Sequence, residues 1–111
     1  MADEQKKLTL AELVTHNPPY DSTAVLATFK EYAESGAAVL ALSVQVIIER
    51  TQLTRDDLYQ AKGYLLVGQG YQTARFEAKA AVEYELAVSY LDAKIKAREE
   101  AILQEFRHSH R

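Results

Sequence analysis

The chain has 111 residues, 48% hydrophobic and 26% charged, a balance that supports one folded domain and excludes collagen-like, linker-dominated and disordered chains. The absence of cysteine excludes disulfide scaffolds, thiolate zinc sites, iron–sulfur ligation and cysteine nucleophiles together. Thirteen basic against sixteen acidic residues leave a net charge of −3, which gives no strong electrostatic hold on nucleic acid.

The first residues, Met1 to Lys7, are acidic and then basic with no apolar run behind them, so no secretory signal is expected and the expected compartment is the cytoplasm. Thr9 followed by Glu12 reads as a capping box, and Leu10, Leu13 and Val14 give one to two helical turns an apolar side. Asn17-Pro18-Pro19 stops that helix, because proline removes a donor and disfavours helix in the residue before it. Asp21 or Ser22 starts a second helix whose apolar face is Val25, Leu26, Phe29, Tyr32 and Ala33. Ser35-Gly36 ends it.

A third helix is expected from Ala37 to Arg50. Val39, Leu40, Leu42, Val44, Val46, Ile47 and Ile48 cover nearly its whole circumference, which points to the centre of the fold. Leu42, Val44, Val46 and Ile48 also fit a strand, a weaker fit given the length and the alanines. This run is too short for a membrane span, which needs roughly twenty apolar residues.

Thr54 with Asp57 is a second capping signature, and Leu58, Ala61, Leu65 and Leu66 mark a fourth helix that Gly68-Gln69-Gly70 should break. The competing reading is a hairpin over 64–76, which would make the fold α+β. From Tyr71 to Arg107 no glycine or proline interrupts a helix, which at 1.5 Å per residue spans about 55 Å. A compact chain of this length has a diameter of about 35 Å, so that helix must bend, project or be covered by something else.

Counting in sevens along it gives Ala74, Ala81, Val88, Ile95 and Ile102, with Glu77, Tyr84, Leu91, Arg98 and Glu105 at the companion positions, half of a coiled-coil signature. A second row, Val82, Leu86, Ser89 or Tyr90, Ala93 and Ala97, broadens the face as a bundle requires. Tyr84, Val88, Leu91, Ile95 and Ile102 are therefore the expected partner interface. Tyr64, Tyr71 and Tyr90 are further candidates to line a groove, since tyrosine is enriched in interfaces.

Other motifs are weaker. Asn17-Pro18-Pro19-Tyr20 matches a short adaptor-binding turn, but reads more simply as a stiff connection. Gly63 to Gly70 spaces its glycines like a phosphate loop yet lacks the lysine and hydroxyl such a loop needs. His108 and His110 at the tail, with His16 far upstream, make no held metal site. Glu83 and Glu85 face different sides of a helix, no Glu-x-x-His pair occurs, and no serine is set beside a histidine by a known motif.

The expectation is one all-α domain over 1–111, with 1–8 and 108–111 frayed, built as a four- or five-helix bundle with a long C-terminal helix. The expected role is a small non-catalytic protein that binds protein, chiefly itself, with no metal, cofactor, membrane or small-molecule substrate. The alternative is a dimeric helix-turn-helix DNA-binding regulator using residues 44–67, although Asp56 and Asp57 would face the phosphates.

Overall fold

The computed structural model describes residues 9–15 and 21–109. Five helices follow in order: α1 (Leu10–Thr15), α2 (Ser22–Ser35), α3 (Ala41–Glu49), α4 (Arg55–Ala74) and α5 (Ala78–Ser109). No strand occurs among the described residues, so the fold is an all-α bundle and the hairpin over 64–76 does not form. No described helix is long and apolar enough to cross a membrane.

The helix starts follow their capping chemistry. Thr9 and Glu12 exchange bonds at 3.1 and 2.8 Å, and Thr54 and Asp57 exchange bonds at 3.1 Å in each direction. Asp21 accepts from Thr23 N at 3.0 Å. Each pairing satisfies orphan donors that would otherwise be open at a helix N-terminus. The motif at 17–20 lies outside the described residues.

α2 ends at Gly36, whose φ of 75° is cheap for glycine alone; Gly36 N donates to Ala33 O and Ala37 N to Tyr32 O. α4 closes the same way at Phe76, φ 60°, with Phe76 N donating to Thr73 O and Glu77 N to Gln72 O. The break therefore falls at Arg75–Glu77. Gly68, Gln69 and Gly70 lie inside α4, and the expected unbroken helix from 71 to 107 is two helices. A non-glycine residue in the left-handed region costs about 1–2 kcal/mol, which is why sequence gives no warning of this turn.

α3 begins at Ala41, four residues later than its hydrophobicity predicts, because the carbonyls before it are engaged elsewhere. Gln72 donates to Gly36 O at 2.7 Å, and Tyr84 donates to Ala37 O at 2.5 Å. Nor is α3 central on all sides. Val44, Ile47 and Ile48 are buried, whereas Leu40 and Leu42 are exposed.

The core joins Leu13 of α1, Val25 and Phe29 of α2, Ile47 of α3, Leu58 and Leu65 of α4, and Tyr84 and Leu91 of α5. α4 and α5 form an antiparallel pair, α2 packs on α4, and α3 packs on α5 and α1. The long dimension of the molecule is 52 Å, and α5 alone, at 1.5 Å for each of its 32 residues, spans about 48 Å of it.

Candidate protein-interaction surface

Tyr84, Val88, Leu91 and Ile95 share one face of α5 at three- and four-residue spacing, as predicted. That face is turned inward: all four residues belong to the core of the single chain. Ile102 alone of the five stands outside it, 47% exposed. Ala74 closes α4 and Glu77 precedes α5, so the seven-residue seam does not begin where the count began.

Polar contacts fix α5 along the body. Lys62 Nζ lies 2.7 Å from Asp92 Oδ1, and this carboxylate raises the lysine pKa by hydrogen bonding and charge. At the far end Tyr59 donates to Glu99 at 2.9 Å, which raises the tyrosine pKa, and Arg55 stands 3.8 Å from the same carboxylate. On the α3 side, Tyr90 donates to Glu49, and Lys94 lies 3.6 Å from it. The tyrosine bond, more than the lysine charge, lowers the Glu49 pKa.

Glu99 marks the end of the packed body. Every residue from Glu100 to His108 is exposed, including Leu103 at 52% and Phe106. Ile102 lies seven residues beyond Ile95 and Phe106 eleven, so the apolar face used in the core continues for about two turns where α4 no longer accompanies it. The helix runs to Ser109.

The sequence did not reveal a second surface at the opposite end. A groove of about 620 Å³ lies between Ala38–Leu40 and the first turns of α5, with Val39 buried and Leu40, Ala78 and Val82 toward solvent. Glu83 in this groove accepts from Ala41 N at 2.7 Å, capping α3 from another helix where Leu40 offers no side-chain oxygen. Val82 and Leu86, read as part of a broad buried face, are about half exposed, and Ala93 and Ala97 also face solvent. The signal was their wheel position, a quarter-turn or more away from Tyr84, Leu91 and Ile95.

The remaining candidates fall apart spatially or serve structure. Tyr64 packs half-buried on the core, Tyr71 is exposed, and Glu85 is exposed while Glu83 caps α3. Gly63 to Gly70 is helical throughout. Among the described residues no three His, Cys, Asp or Glu side chains gather to hold a metal; His16 and His110 lie outside them. No protein family, curated protein or solved structure matches this chain.

Proposed function

We propose that this chain is a small non-catalytic assembly protein of the cytoplasm that binds protein through the projecting end of α5 and associates with itself. One observation carries the reading: the apolar face of α5 outruns its own body, leaving Ile102 and Leu103 about half exposed on a helix held by Lys62, Tyr59 and Arg55.

Magnitudes limit how that end can work. Fully burying a large apolar side chain contributes about 1.5–3 kcal/mol, and here roughly half of each is already covered. The stripe alone therefore supplies about 3 kcal/mol, less than the 4–15 kcal/mol lost to association entropy. A partner has to add apolar area of its own, and the complex is weak and concentration-dependent.

The DNA-binding alternative has less support. α3 packs on α5 and α1, Arg55 at the start of α4 is held by Glu99, and the exposed Asp56 stands beside it. Absolute mass by light scattering, over a hundredfold concentration range, tests the proposal. Mass should rise above the 12.5 kDa of one chain as concentration rises. A constant single-chain mass, or salt-sensitive retardation of random duplex DNA, overturns it.

A further inference from the structure

We propose that the surface receiving the end of α5 is the groove at Leu40, Ala78 and Val82 of a second copy, so that copies join head to tail; this rests on the self-association proposed above. Both halves of such a contact exist on one chain, at opposite ends of α5. Val82 and Ile102 are twenty residues apart along one continuous helix, about 30 Å at 1.5 Å per residue. A rigid helix cannot fold its end back over its own beginning. Only another molecule can bring Ile102 to this groove.

Electrostatics favour the same occupant. The groove holds the N-terminus of α5, at Ala78, the positive end of a helix dipole, while the neighbouring N-terminus of α3 is already capped by Glu83. The incoming segment is the C-terminal end of a helix, with the negative dipole end and with Arg107 and His108 in its last turn. Glu77 in the groove suits Arg107, and Lys79 beside it suits the Glu100 carboxylate of the arriving segment. Direct pairing of two projecting ends fits less well. Antiparallel about Ile102, it sets Glu99 against Glu105 of the second copy, and shifted by half a residue it sets Arg98 against Arg107. Like charges brought opposite one another are unfavourable.

A contact between two different patches does not close on itself, so its signature is growth without a dimer plateau. Two blocked variants test this, each altering residues about half exposed or more: Leu40→Glu with Val82→Glu in the groove, and Ile102→Glu with Leu103→Glu at the end. With folding confirmed by circular dichroism, each variant alone should stay at the single-chain mass of 12.5 kDa at every concentration. Mixed one to one they should recover a species of twice that mass and nothing larger, because each keeps the half the other lost. If the groove variant associates like the parent while the end variant does not, or the mixture stays at single-chain mass, the head-to-tail arrangement is overturned and self-association through α5 stands. A parent chain at single-chain mass throughout overturns both.

Discussion

The ring of Tyr84 occupies the space that a side chain at position 68 would need: a Cβ on Gly68 would lie 2.2 Å from Tyr84 Cε1. The same tyrosine donates to Ala37 O at 2.5 Å, so one residue of α5 locks the middle of α4 to the connection between α2 and α3. Gln72 of α4 and Arg75 just beyond it reach Gly36 O from the other side, at 2.7 and 3.3 Å.

Three glycines of α4 should therefore respond differently to alanine. Gly68→Ala forces the buried ring aside, and overpacking of this kind costs typically 1–3 kcal/mol, more than the roughly 1 kcal/mol that helix propensity returns. Gly63 and Gly70 have nothing within 4 Å of a built Cβ. Gly63→Ala and Gly70→Ala should each stabilise by about 0.5–1 kcal/mol, and urea unfolding of the three variants reads the contrast directly. Equal responses at all three positions would contradict the close approach of Tyr84.

Alkaline pH should single out the same side chain. Burial, with a smaller contribution from Tyr32, pushes the Tyr84 hydroxyl up to about 12 from its ordinary value of 10.0. The folded chain then holds this proton more tightly than the unfolded chain, so its contribution is complete below about pH 10 and is lost as pH rises toward 12. The loss is of the order of 2 kcal/mol. Tyr84→Phe forgoes the bond to Ala37 O, a cost of about 1 kcal/mol at neutral pH. The gap between parent and variant should close, then reverse, between pH 10 and 12, and a gap independent of pH would argue against a buried, neutral Tyr84.

Substitutions along α5 should divide at Glu99. Leu91→Ala and Ile95→Ala remove core side chains at about 2–5 kcal/mol each, enough together to unfold a chain of ordinary stability. Loss of assembly in that double variant would be secondary to unfolding. Ile102→Ala should change the unfolding free energy by no more than about 0.5 kcal/mol, because its side chain stands outside the body. Thermal unfolding of the two sets separates packing from projection.

Glu83 provides the remaining test. Its carboxylate caps α3 at Ala41 N, with no side-chain cap from Leu40. Glu83→Ala should cost about 1 kcal/mol, the usual value of an N-cap. Adding Leu40→Ser supplies a local oxygen and should recover most of that loss in denaturant titrations. No recovery would mean that Glu83 acts through something other than the cap.

Local chemistry was readable from the residues alone. The Thr9–Glu12 and Thr54–Asp57 boxes, the Asp21 cap and the Gly36 terminus appear where the spacing placed them, because each depends on groups only two to five residues apart. The helical class and the existence of an apolar face on α5 followed from periodicity for the same reason; that Tyr84, Val88, Leu91 and Ile95, read as a partner interface, are spent on the chain's own core did not. Tertiary structure alone decided the rest. Phe76 ends α4 against its own propensity, and Gly68 continues a helix it was expected to break, because the ring of Tyr84 fits against it from a residue 16 positions away. Val39 and Leu40 leave the helix since Tyr84 and Gln72 engage the preceding carbonyls across 47 and 36 residues of chain. Periodicity showed that α5 has an apolar face, but not which part of that face the chain keeps for itself. That division depends on where α4 begins beside Glu99: burial is a property of neighbours in space, and a single sequence states only neighbours along the chain.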